Sequence, residues 1–122
     1  MSEGITSAPS GPRSEWPART IRFNVDGHKG YMLVRFNGPS VAGLEIHMHR
    51  VGTTVHGLLT VWYQAINMMF DMCVPLERIV EKFVDARFEP LGRTLDLKIP
   101  SCTSIVDYAV RTMARLGGVE IK

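Results

Sequence analysis

Three short stretches carry the side chains best suited to chemistry. Arg87-Phe88-Glu89-Pro90 offers a guanidinium, whose planar fork of donors matches a phosphate or carboxylate. Gly52-Thr53-Thr54-Val55-His56 and Ser101-Cys102-Thr103-Ser104 each place hydroxyls where a helix begins, and the unpaired backbone N–H groups of a helix start suit the same kind of anion. Brought into one concavity, Thr53, Thr54, His56, Arg87, Ser101, Thr103 and Ser104 would form a site for an anionic, nucleotide-like ligand. Each stretch also has a plainer reading, and it is the weightier one. The hydroxyls cap their own helices, Phe88 packs, Pro90 fixes a loop, and Arg87 and Glu89 pair to nearby helix ends.

The remaining candidates are weaker. His47 and His49 share one face of a strand and His28 sits in a turn, a placement sterically compatible with three metal ligands, but an exposed strand face is where such histidines belong anyway. No cysteine or carboxylate spacing reinforces them, so neither a metal nor any other cofactor is expected. Cys73 and Cys102 are the only cysteines and form no C-x-x-C pair, which argues against a disulfide framework. Asp107 falls in the first turns of a helix, where the helix dipole already favours a carboxylate. The scattered His, Asp and Ser residues do not make a hydrolytic site. Met68 and Met72 fall off the main apolar stripe of their helix, and Trp62 and Tyr63 are large aromatics of the kind that anchor interfaces. They suggest that the chain associates with itself.

The elements that must position these residues follow from the pattern. Residues 1–19 combine Ser, Gly and three Pro with few aliphatic side chains, and read as a flexible arm that Trp16 could pin down. From Thr20 the apolar period is two: Ile21, Phe23 and Val25, then Tyr31 to Phe36, then Leu44, Ile46 and Met48, separated by Asp26-Gly27-His28-Lys29-Gly30 and Asn37-Gly38-Pro39-Ser40. This predicts a three-stranded antiparallel meander. Val55, Leu58, Leu59, Trp62, Ile66, Met69, Phe70 and Cys73 recur at three- and four-residue steps, the core stripe of a long helix capped by Thr53 and Thr54. Pro75 opens a second helix running to about Asp85. Arg87 to Pro100 reads as a structured loop, and Ser101 to Leu116 as a third helix stopped by Gly117-Gly118. The expected class is α+β, a three-stranded meander followed by three helices packed on one face.

Composition bounds the rest. With 122 residues, 45% of them hydrophobic, the chain suits one domain spanning 20–122 with one core. Its 14 basic and 12 acidic residues leave a formal charge of +2, too even a balance to imply duplex nucleic acid or an anionic membrane as partner. No apolar run reaches the roughly 18 residues of a membrane span and no secretory signal opens the chain, so a cytoplasmic protein is expected.

Several stretches together resemble a known family. Val80 to Gly92 contains Lys82-Phe83 and Arg87-Phe88-Glu89-Pro90-Leu91-Gly92, and leads on to Thr103-Ser104-Ile105-Val106-Asp107-Tyr108. Gly27-His28-Lys29-Gly30-Tyr31, Gly52-Thr53-Thr54-Val55-His56-Gly57-Leu58 and Val74-Pro75-Leu76 precede them in order. This series, over about residues 20–116, resembles the C-terminal, TSCPD-like domain of adenosylcobalamin-dependent (class II) ribonucleotide reductases. Two positions depart from that pattern: Ile105 stands where the domain's signature has cysteine, and Glu45 where the reductases tend to have an aromatic.

The resemblance implies descent from a reductase domain but not its reaction. That chemistry needs a barrel with a radical cysteine, a redox cysteine pair and a carboxylate, and two isolated cysteines cannot fill those roles. The chain is expected to be no enzyme. The leading expectation is a freestanding, non-catalytic binding module, acting as an accessory or interaction subunit, with a reductase or itself as partner, or as a binder of a nucleotide-like small molecule. The alternative is a protein of a mobile element or virus that sequesters a nucleotide signal.

Overall fold

The structure, a computed structural model, describes residues 11–121. Residues 1–10 of the expected arm lie outside the described residues.

Strands β1 (Ala18–Val25), β2 (His28–Asn37) and β3 (Ser40–Met48) form an antiparallel sheet in the order β1-β2-β3, as the alternation predicts. Asp26 and Gly27 both take positive φ, 50° and 88°, the requirement of a two-residue turn whose twist matches the strands it joins. The Asn24 side chain fastens that turn by accepting the Gly27 N–H at 2.8 Å. Phe23, Val25, Met32, Val34, Leu44 and Ile46 are buried on one face, while Arg22, Tyr31, Leu33, Arg35, Glu45 and His47 occupy the other. A register shift at Arg35/Phe36 breaks strict alternation, so that Val41 and Leu44 both reach the core.

Helix α1 (Thr53–Asp71) runs along the free edge of β3. Its first turn differs from expectation: the N-cap is Gly52, with no side-chain cap hydrogen bond, so the Thr53 and Thr54 hydroxyls do not close this helix. It ends with Cys73 at φ 61°, where the Cys73 N–H donates to Phe70 O and the Val74 N–H to Met69 O, a Schellman closure. Leu59 and Ile66 are buried, and Trp62, Met69 and Phe70 pack against the core. Val55, Leu58 and Cys73, assigned by spacing to the same stripe, are exposed.

Helix α2 (Leu76–Phe83) starts after Pro75 and buries Ile79 and Val80. Its Phe83 ring meets Trp62 edge-on at 5.5 Å. The expected loop contains a miniature hairpin, β4 (Gly92–Arg93) with β5 (Ser101–Cys102), and Thr94 bridges to Val25. Helix α3 (Ile105–Gly117) therefore begins later than expected, behind the N-cap Ser104, and stops at Gly118 with φ 72°. This helix is the centre of the domain. Ile105, Tyr108, Ala109, Val110 and Met113 have at most negligible exposure, and Tyr108 lies 5.8 Å from Phe23 of the sheet.

The end of the expected arm is docked rather than free, and Arg13 fastens it. Its Nε donates to Ala42 O at 3.0 Å, its Nη2 to Asn67 O at 3.2 Å and to Asp71 at 2.5 Å, and its guanidinium lies 4.9 Å over the Trp16 ring. Arg35 in turn donates to Trp16 O at 3.0 Å.

Candidate functional site

The seven residues nominated for an anion site fall into two separate neighbourhoods. Thr53, Thr54 and His56 are exposed on the first turn of α1. Ser101, Thr103 and Ser104 belong to the approach to α3. Arg87 lies on the connection between the two, exposed and with no side-chain hydrogen bond or ion pair among the described residues.

The start of α3 is occupied by the chain's own groups. Ser104 Oγ accepts the Asp107 N–H at 3.0 Å, and Thr103 Oγ1 donates to Ala86 O at 2.9 Å. The Asp107 carboxylate, 1% exposed, accepts the Asp85 N–H at 2.7 Å, the Thr103 N–H at 3.0 Å and Arg111 Nε at 2.9 Å. Arg111 reaches on to Asp85 at 2.7 Å. Every oxygen of that carboxylate is used, so this network ties α2, the β5–α3 connection and α3 together. It accounts for the Asp-Tyr pair structurally: Asp107 is the staple, and Tyr108 is buried in the core with its hydroxyl donating to Asp96 at 2.9 Å.

The start of α1 is different, because no side chain caps it. Beside it lies a concavity of about 500 Å³ lined by Asp26, His28, Arg50, Gly52, Val55, Glu89 and Pro90, with Val51 and Leu91. Three of the stretches singled out in the sequence meet here: the turn through Asp26 and His28, the α1 start through Gly52 and Val55, and the loop through Glu89-Pro90. Neither Arg87 nor any residue of the α3 start lines it. Thr53, Thr54 and His56 do not line it either: the α1 start contributes Gly52 and Val55. Arg50, exposed and at φ 58°, holds the position between β3 and α1. Its place just ahead of an uncapped Gly-Thr-Thr start was the available signal.

The chemistry offered there is mixed. The guanidinium of Arg50 and the free N–H groups of the α1 first turn suit an anion, whereas the Asp26 and Glu89 carboxylates accept hydrogen bonds from hydroxyl or amino groups.

The histidines do not gather around a metal position, and among the described residues no group of three or more His, Cys, Asp or Glu is so arranged. His47 stacks on Tyr31 at 5.0 Å and its Nε2 lies 3.3 Å from Glu45. His28 Nδ1 lies 3.3 Å from Val25 O. Gly30, in the same turn stretch, is explained by packing: a Cβ there would overlap His47 O, lie 2.7 Å from Phe23 Cζ and 2.9 Å from Met48 Cα.

Sequence comparison gives the family. A vitamin B12-dependent ribonucleotide reductase of Rhodopirellula baltica is 37% identical over 93 residues, which is 75% of this chain and 9% of that protein. The Streptomyces avermitilis enzyme of the same name is 34% identical over 99 residues, 80% of this chain and 10% of that protein. The chain is a relative of one small region of these reductases. The Agrobacterium fabrum reductase, 33% identical over 97 residues, is likewise matched over 8% of its length. The chain thus spans about a tenth of the length of the curated reductases it matches. No family model and no solved structure matches it.

Proposed function

We propose that the chain is a non-catalytic binding module that holds a small anionic, nucleotide-like ligand in the concavity at the start of α1. The observation that carries this reading is convergence. Three sequence stretches far apart in the chain meet around one concavity that has a guanidinium, uncapped helix N–H groups and two carboxylates. A nucleotide has the complementary parts: phosphate for Arg50 and the helix start, ribose hydroxyls or a base amino group for Asp26 and Glu89. The relatives are named for a reaction on ribonucleotides, which makes nucleotides the class to try first.

The non-catalytic part rests on the thiols. Cys102 is buried, and burial together with the Asp107 charge pushes its thiol above the usual range, a setting that suppresses the reactive thiolate. Cys73 is exposed at the end of α1, on a different element.

Isothermal titration with mono-, di- and cyclic nucleotides tests the reading. Binding by at least one of them, lost in Arg50→Ala and kept in Arg87→Ala and His47→Ala, is the expected result. Absence of binding across the panel, or equal binding by Arg50→Ala, overturns it. The same site serves an accessory subunit of a reductase or a sequestering protein, and a pull-down against a reductase barrel separates these two roles.

A further inference from the structure

Helix α1 turns a second apolar face to solvent. Leu58, Val61, Met68 and Met72 are 67%, 64%, 62% and 72% exposed, and Ala65 lies among them, also exposed. The face opposite carries Leu59 and Ile66 into the core. A helix apolar on both sides is ordinarily a buried helix, so one side of α1 lacks its cover among the described residues.

We infer that this face pairs with the same face of a second copy, α1 against α1 in antiparallel orientation, with the two-fold axis at Ala65. The spacing supports a helix as the occupant. From Leu58 the steps to Val61, Ala65, Met68 and Met72 are three, four, three and four residues, the alternation by which a straight seam of knobs packs against another helix. The order of residues supports a copy of this chain as that helix. Reversed about Ala65, Leu58 falls opposite the partner's Met72 and Val61 one residue out of register with the partner's Met68, so the large side chains of the seam still meet large ones. The small Ala65 meets itself, which lets the two backbones approach at the axis.

Charge and area agree. The only acidic or basic residues of α1 are His56 and Asp71, and Asp71 is already paired with Arg13, so two copies bring no like charges together at the seam. Leu58, Val61, Met68 and Met72, each more than 60% exposed, leave on the order of 500 Å² of apolar surface per copy, against the roughly 800 Å² per partner of a standard interface. A two-fold pair therefore buries about 1,000 Å² from them alone, the size at which specific interfaces begin. A two-fold interface of this kind is closed, so the seam itself recruits no third chain.

The test uses the full chain. Sedimentation velocity at micromolar concentration is expected to give a species of twice 13.6 kDa. Val61→Glu and Met68→Glu, both at exposed positions and so without cost to the core, are expected to give a monomer with unchanged circular dichroism. In a Cys73→Ser background, Ala65→Cys is expected to form an intermolecular disulfide under mild oxidation, whereas Glu77→Cys on α2 is not. A monomeric wild-type chain overturns the inference and assigns the face to a different partner. A dimer that survives both glutamate substitutions, or that cross-links through Glu77→Cys but not Ala65→Cys, overturns it as well.

Discussion

The side-chain amide of Asn67 pairs with both backbone groups of Leu44: Oδ1 accepts the Leu44 N–H at 2.8 Å and Nδ2 donates to the Leu44 carbonyl at 3.0 Å. Leu44 lies on β3, an edge strand whose outer backbone groups have no neighbouring strand among the described residues. Asn67 therefore does for that edge what another strand would do, and holds α1 against the sheet. Asn67→Ala leaves a donor and an acceptor half-buried and unpaired, and is expected to cost about 2 kcal/mol in urea unfolding. Asn67→Asp is expected to cost at least as much, because it sets a carboxylate oxygen against the Leu44 carbonyl. Both variants also uncover a strand edge, so faster aggregation on mild heating is expected.

Asp107 gives a sharper asymmetry. Asp107→Ala removes the acceptor for two backbone N–H groups and for Arg111 inside the domain, and a loss of about 3–5 kcal/mol is expected from the donors left unpaired. That is a large part of the 5–15 kcal/mol typical of a domain, so partial unfolding at 37 °C is expected. Arg111→Ala leaves the carboxylate with both backbone donors and is expected to cost clearly less. Equal losses in thermal unfolding for the two variants would mean that the ion pair, rather than the backbone staple, carries the network.

The fold was legible because its signals are local. Alternation at Ile21, Phe23 and Val25, turn residues at Asp26-Gly27 and Gly38-Pro39, and Pro75 between two helical patterns each act over a few residues. The misses were of another kind. The pairing of Gly92–Arg93 with Ser101–Cys102 is two residues long on each side and leaves no periodic trace. The start of α3 moved from Ser101 to Ser104 because that hairpin claims the first two residues. Periodicity also could not say which side of α1 faces inward, since Leu58 and Leu59 both lie on apolar stripes; contact with the β3 edge decides it. The candidate site failed on convergence for the same reason. Arg50 adjoins the α1 start in the sequence, but only the tertiary fold brings the turn through Asp26 and His28 and the Glu89-Pro90 loop to it and leaves Arg87 outside the concavity.

Gly30 is expected to tolerate no side chain. The Cβ of Gly30→Ala would meet β3 backbone at His47 O and Met48 Cα and the ring of Phe23, none of which is a flexible side-chain end. Overpacking of this sort costs about 1–3 kcal/mol or more. Gly27→Ala, in the same turn, has open space around its Cβ but φ 88°, so its penalty is backbone strain alone, about 1–2 kcal/mol. Chemical denaturation of the pair separates a steric from a conformational demand for glycine.

Tyr108 and Asp96 set opposite limits on the pH range of stability. Burial, together with the hydrogen bond to the Asp96 carboxylate and its charge, drives the Tyr108 hydroxyl well above its ordinary pKa of 10.0. The folded state thus holds that proton more tightly than the unfolded state, and stability falls as pH rises above about 10. Burial alone would raise the Asp96 carboxyl, but the Lys98 N–H, the Tyr108 hydroxyl, the Arg115 charge and the Ile99 N–H outweigh it and hold the group below 3.8. The stability it contributes is fully present above 3.8 and is lost as pH falls through its lower folded value. Tyr108→Phe is expected to lower stability at pH 7 by about 1 kcal/mol, the worth of one hydrogen bond, and also to make the alkaline fall shallower. Asp96→Asn keeps an acceptor for the hydroxyl, and is expected to spare most of the stability at pH 7 while flattening the acid limb. Melting temperatures of the three proteins from pH 3 to 11 check this. An alkaline limb as steep in Tyr108→Phe as in the wild type would show that another group governs it, with the buried Cys102 thiol, also raised, the first to examine.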